Sequence, residues 1–246
     1  MSDRISILCT QLPLFAPARW EAVRAAFAGV PSSELVQAWR GATEERFQPG
    51  CVRAGWEEDA IWVFAELSDA AIMSVANGFN EPAFLTGDVF EIFLRPQGQA
   101  PYFEFHVTPF NGRLQLRYPD AASVDRVRQG IAAGESDPFK PFKVTAELFQ
   151  SWTRIEERAH RWEALVRIPV ESVAEGLGPP ATRASRASSR ARETRRAGGD
   201  IPVRFDCSFC RYDYTPGIAS PVISSSSPHR EPNFHRSEEW AELTLV

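Results

Sequence analysis

Apolar and polar positions alternate most clearly between Thr86 and Asp120, in TGDVFEIFLRPQGQAPYFEFHVTPFNGRLQLRYPD. Three period-two runs follow one another there, and the links between them hold Pro, Gly and Asn. Period two over short runs with such links predicts an antiparallel meander with one face in a core. The other face of the same strands carries Glu91, Glu104 and His106. A charged face at the centre of a sheet is the first hint of a polar ligand-binding surface.

The remaining elements follow from the same reading. Residues 1–29 read as an extended N-terminal arm, with a first edge strand near Ile5–Leu14 and a helical turn at Trp20–Ala28. Pro31–Ala42 holds N-cap serines and Leu35, Val36 and Trp39 at helical spacing, which predicts a short helix or turn that plugs one end of the core with Trp39. Gly50–Trp56 and Ile61–Ser68 alternate around an acidic turn. Asp69–Gly87 reads as a long loop, a length that in compact domains goes with function or disorder. Ala121–Gly134 reads as a short helix or an excursion. Phe139–Leu148, Trp162–Pro169, Val203–Tyr212 and Trp240–Val246 read as strands, Val170–Gly178 as a turn of helix, and Thr215–Ser237 as irregular. Many short strands with turn-rich links and few long helices predict an all-β fold, an antiparallel β-sandwich of jelly-roll or immunoglobulin-like type over residues 30–246.

Composition sharpens this picture in two places. The 246 residues carry a net charge of −5, but Ala181–Gly199 alone holds six Arg against one Glu. Taking these from 27 basic and 32 acidic residues leaves 21 and 31, an acidic body. That excludes nucleic acid as a partner of the fold as a whole. The 181–199 segment has no apolar period and is expected to be a disordered insertion. No window is long and apolar enough to cross a bilayer, so no membrane partner is expected. The N-terminus reads as a strand rather than a signal peptide, which favours a cytoplasmic site without settling it.

Catalytic signatures are sparse. There is no Gly-rich phosphate loop, no HExxH and no GxSxG. Cys207, Cys210, His229 and His235 have a zinc-finger look, but Cys207 and Cys210 stand three apart on a predicted strand and so face opposite ways. Glu91 and Glu104 could serve as a glycosidase pair, could bind hydroxyls, or could form a salt-bridged face with His106. A haem site would need an axial pair such as Met73 with His106 or His235. Phe79, Phe84 and Phe234 sit in polar, breaker-rich loops, where an aromatic is expected to be exposed and to offer a π-face to the C–H face of a sugar ring; core packing is the plain alternative.

Taken in order, SSELVQAW, VRAGWEEDAIWVFAEL, GDVFEIFLRP, YFEFHVTPFNGRLQL, WEALVRIP, RFDCSFCRYD and FHRSEEWAELTL resemble the family-nine carbohydrate-binding modules, and more closely their stand-alone bacterial relatives, over about residues 30–246. The resemblance implies a non-catalytic β-sandwich that holds a terminal sugar unit between two aromatic rings above polar strand residues. By motif position Glu91 matches the family's sugar-binding carboxylate, His106 a basic strand residue and Ser208 an amide-bearing one. Phe234 falls where the family has one sandwiching Trp, and Phe84 lies near the place of the other. The expected ligand-binding set is therefore Phe84, Glu91, Glu104, His106, Ser208 and Phe234, with affinity on the order of micromolar to millimolar. The same fold without sugar binding, serving as a protein-interaction module, is the alternative where both Trp are missing. Some family members bind calcium in loops, but no dense Asp/Asn loop supports calcium here. No other cofactor is expected, and the oligomeric state is left open.

Overall fold

The computed structural model describes residues 4–76, 78–173 and 204–246; the Arg-rich segment 181–199 lies outside them. Among the described residues twelve strands form an all-β fold: β1 (Ser6–Gln11), β2 (Ser32–Glu34), β3 (Gly50–Glu57), β4 (Ala60–Ser68), β5 (Val89–Pro96), β6 (Tyr102–Val107), β7 (Arg113–Tyr118), β8 (Gln150–Glu156), β9 (Arg161–Pro169), β10 (Arg204–Asp213), β11 (Val222–Ser225) and β12 (Ala241–Leu245). The helices are short: α1 (Trp20–Phe27), α2 (Ser123–Ala132) and α3 (Val170–Val173). Among the described residues no helix is long and apolar enough to cross a membrane.

The strands run in the order β7-β6-β5-β10-β12-β1-β3-β4-β9-β8, with β11 on β10 and β2 on β3. This is one curled mixed sheet folded over a core, hence a sandwich of two layers. The hinge between layers is β1. Its residues Ser6–Cys9 pair in parallel with β12, and Thr10–Gln11 then pair in parallel with Gly55–Trp56 of β3. The expected edge strand is therefore an interior one. Period two does the rest. Phe90, Ile92 and Leu94 of β5, Phe103, Phe105 and Val107 of β6, and Phe205, Cys207 and Phe209 of β10 point inward. They meet Ile61, Val63, Ala65 and Leu67 of β4 and Trp162, Ala164, Val166 and Ile168 of β9. The alternate residues face outward, and each layer's outer face is covered by its own helix, α1 over β4 and β9, α2 over β5, β6 and β7.

Three expectations are corrected. Pro31–Ala42 holds no helix: Ser32–Glu34 forms β2 and supplies ladder partners to Cys51–Arg53 of β3, a tertiary gain that overrides local spacing, while Trp39 lies in a turn and packs against the outer-face cluster, as the alternative had it. Phe139–Leu148 is not a strand: Pro138 and Pro141 break a ladder there, and the segment makes one bridge, Leu116 with Lys143. The strand lies further on, as β8. The Thr215–Ser237 stretch contains β11, four residues paired with the end of β10. The meander, Gly50–Ser68, Trp162–Pro169 and both C-terminal strands lie where the pattern put them.

Candidate functional site

The outward face of β5, β6 and β10 positions the chemistry. Glu91 and His106 stand directly opposite one another across β5 and β6, the spacing at which cross-strand side chains meet. Glu104 is two residues before His106 and so shares its face. His106 Nε2 lies 2.5 Å from Glu104 Oε1 and 3.4 Å from Glu91 Oε1. All three side chains are buried. Burial pushes the Glu91 carboxyl up to about 8, against the pull of His106. Burial acts on Glu104 in the same direction, but the charge and hydrogen bond of His106 outweigh it and its pKa falls. For His106 burial favours the neutral ring, and the two carboxylates reverse that and raise its pKa. The triad thus holds one shared ion pair and one further carboxyl. Glu104 Oε2 and His106 Nδ1 are buried with no hydrogen-bond partner.

Above this floor lies a cavity of about 170 Å³, slightly larger than the ~150 Å³ that takes up a benzene ring. Its walls are Phe84, Phe93, Tyr118, Phe139, Tyr212 and Phe234. Helix α2 forms the roof through Val124, Val127 and Ile131, with Arg128 at the mouth. His235 completes the floor: Tyr102 Oη and His235 Nδ1 are 2.9 Å apart, and His235 Nε2 is 3.9 Å from Glu104 Oε2. Burial lowers the pKa of His235, against the pull of Glu104.

Of the expected residues, Phe84, Glu91, Glu104 and Phe234 line this one cavity, and His106 lies beneath, bonded to Glu104. Phe84 and Phe234 flank Tyr212, each with its ring centre 5.7 Å from that ring. Phe84 is half-buried. Phe234 is not the exposed loop aromatic that its polar neighbours predict; it is 4% exposed. The Trp240 indole donates to the Phe234 carbonyl at 2.8 Å, and Trp39, Phe93 and His229 pack around the ring. Ser208 shares the face but does not line the cavity. Its hydroxyl lies 3.1 Å from Ser225 Oγ and 3.5 Å from His229 Nε2. Sequence reasoning missed Phe93, Tyr212 and His235 as lining. The first two were available from parity, since Phe93 is two beyond Glu91 and Tyr212 two beyond Cys210.

Metal-ligating groups gather in two places. Glu91, Glu104 and His106 offer donor atoms within 4.8 Å of one another, as do Asp69, Asp88 and Asp213. The second group does not fit calcium, which takes six to eight oxygens. The Arg211 guanidinium already sits there, 3.1 Å from Asp69 and 3.3 Å from Asp213, and Asp88 accepts the amides of Met73 and Tyr214. Cys207 faces the inter-sheet core and Cys210 the outer face, so the zinc quartet is not assembled. No axial haem role is left for His106 Nε2, which Glu104 takes. A larger hollow of about 410 Å³ lies beside Asp213, with Tyr214 as its one ring.

No protein-family model and no curated protein matches the sequence. Solved structures do match. A candidate carbohydrate-binding protein of Bacteroides uniformis superposes with a TM-score of 0.66 at 15% identity, covering 99% of this chain and 100% of its own. A family-nine carbohydrate-binding module of Caldicellulosiruptor kristjanssonii, in complex with cellotriose, gives 0.59 at 12% identity over 98% of this chain and 93% of its own. The glucose complex of a family-nine module from the same organism gives 0.59 at 12% identity, over 98% and 95%. The chain therefore has a family-nine-like fold along essentially its whole described length.

Proposed function

We propose that the protein holds one ring of a saccharide, without cleaving it, in the cavity above Glu91. The observation that carries this is the cavity itself: room for one six-membered ring, π-faces for walls and buried carboxylates for a floor. Sugar C–H faces pack on aromatic rings while carboxylates accept their hydroxyls. The neighbours of known structure add weight, since two are complexes of family-nine modules with cellotriose and glucose. Glu91, Glu104 and His235 are the polar contacts in this reading, His106 orients Glu104, and Phe84 and Tyr212 supply the accessible ring faces. Phe234 closes the far wall, and Ser208 supports the floor from outside the lining.

A non-catalytic role follows from the floor. Glycosidase carboxyls stand at least about 5 Å apart and flank the scissile bond. Here Glu91 and Glu104 lie on one face, bridged by the same imidazole nitrogen. Titration calorimetry with glucose, cellobiose, xylobiose and mannose tests the proposal, with Glu91→Ala and Phe84→Ala expected to abolish the heat. Phe234→Ala is a poorer control, because a buried Phe costs about 3–5 kcal/mol when truncated. Flat traces for every sugar with folded wild-type protein would remove the saccharide reading and leave the fold.

A further inference from the structure

We propose that the ring this site takes carries a positive charge, a ring-borne ammonium such as that of an amino sugar, seated on Glu91 and Glu104. This rests on the saccharide reading and names the class of saccharide.

Charge is out of balance around the cavity. Two buried carboxylates face the cavity, and one imidazolium, His106, answers both. Burial favours the neutral ring of His235, and among the described residues no Lys or Arg other than Arg128 lines the cavity. The one guanidinium among the lining, Arg128, is spent at the mouth, where it donates to Asp125 at 3.0 Å and to Asn233 at 3.1 Å. An unpaired buried carboxylate is expensive, and the protein escapes the expense only by keeping a proton; Glu91 is held up at about 8 for that reason. Glu104 Oε2, 4% exposed as a residue, lines the cavity with no donor.

The protein shows elsewhere how it closes such a site when no ligand is meant to. Glu163 of β9 lies on the outer face of the other layer, fully buried. Arg24 of the covering helix α1 grips it through three contacts of 2.7 to 3.0 Å. Helix α2 covers Glu91 and Glu104 in the same manner but sends down Val124 and Val127 instead of a cation. The walls reinforce the demand, because aromatic faces attract cations. An ammonium answers it better than a metal ion. His106 Nε2 and Glu104 Oε1 are already hydrogen-bonded to each other at 2.5 Å, so a metal would have to break that bond to gain its donors, and π-faces offer a metal no ligands. An ammonium needs acceptors only: Glu104 Oε2 has no donor, and Glu91 becomes a second acceptor by releasing to solvent the proton it otherwise keeps.

Titration calorimetry at neutral pH with glucose, glucosamine, N-acetylglucosamine and cyclohexylamine tests this. Glucosamine is expected to bind at least about ten-fold tighter than glucose, a difference of ~1.4 kcal/mol. N-acetylglucosamine, whose nitrogen is uncharged, loses that gain. Glu91→Gln is expected to bring the glucosamine and glucose affinities together. If that variant does not fold, displacement of glucosamine by cyclohexylamine on the unaltered protein supports the same conclusion. Glucose binding as tightly as glucosamine, or more so, overturns the ammonium and leaves the saccharide reading standing. Cyclohexylamine binding with silence from every sugar sustains the cation and removes the saccharide. Loss of glucosamine binding after chelation with EDTA assigns the floor to a metal and overturns the proposal, as does silence from all four compounds.

Discussion

The two outer faces of the sandwich solve the same problem in opposite ways. One buries a single carboxylate, Glu163 on β9, the other buries two, Glu91 on β5 and Glu104 on β6, and each is roofed by one short helix. Over β4 and β9, helix α1 packs Val23 and Phe27 onto Phe64 and Leu165, with the Phe27 and Phe64 rings 5.5 Å apart, and its Arg24 neutralises Glu163. Over β5 and β6, helix α2 packs Val124 and Val127 among aromatic rings, leaves a ring-sized void, and brings no cation to Glu91 or Glu104. One face is finished by the chain itself, and the other keeps a void over its carboxylates. Burial alone does not point to a site; the proposed one rests on burial beside a void, where the covering helix brings no counter-charge.

The largest expected effect breaks the finished face. Arg24→Ala strands Glu163 beneath helix α1, and stranding one partner of a buried pair costs about 3–5 kcal/mol. Arg161 Nη2, 3.8 Å from Glu163, recovers part, which places the loss near ~3 kcal/mol in urea unfolding. Arg128→Ala on α2, with both partners in solvent, should shift stability by no more than about 0.5 kcal/mol. Equal losses from the two variants would show that the two helices do the same job.

The next effect is on pH dependence. Glu91's folded pKa, about 8, lies above its ordinary 4.5, so the folded chain keeps a proton that the unfolded chain has released. Stability contributed by that proton is complete below about 4.5 and is lost as pH rises to about 8. His106, also raised, adds to the loss above its ordinary 6.5. Glu104, lowered, has the opposite sign; its contribution persists at alkaline pH and fades in acid. Asp88, likewise raised to about 8, belongs to the Arg211 cluster and is common to wild type and variant. The melting temperature should therefore fall between about pH 6 and pH 9, and Glu91→Gln should fall less over that range. An unchanged slope in the variant would mean that Glu91 is already ionised at neutral pH.

Much of the open face was legible in the sequence because period two is unforgiving. Glu91, Glu104 and His106 had to share a side once DVFEIF and YFEFHV were strands, and Cys207 and Cys210 had to be divided. What could not be read was what lies on top. Val124, Val127 and Ile131 recur at helical spacing, but nothing local says that this helix roofs the carboxylates instead of meeting solvent. The polarity of PNFHRSEEW argued that Phe234 was exposed. Its burial depends on the Trp240 indole and on Trp39, partners supplied by other parts of the chain. The Arg24–Glu163 pair escaped notice for the same reason, since its two halves are joined only by the fold.

The smallest effect on stability gives the sharpest reading of the contrast. Ile131, 46% exposed at the mouth, touches the cavity from α2 without belonging to the packed layer below. Ile131→Trp adds a large ring at a solvent-facing position, where substitutions usually change stability by no more than about 0.5 kcal/mol. The indole can fold inward only by taking the volume a ligand ring would occupy. If the void is a binding site, the variant keeps its urea midpoint and loses saccharide heat. If saccharide binds elsewhere, for instance in the hollow beside Asp213, binding survives intact and the open face is no more than an imperfectly filled copy of the closed one.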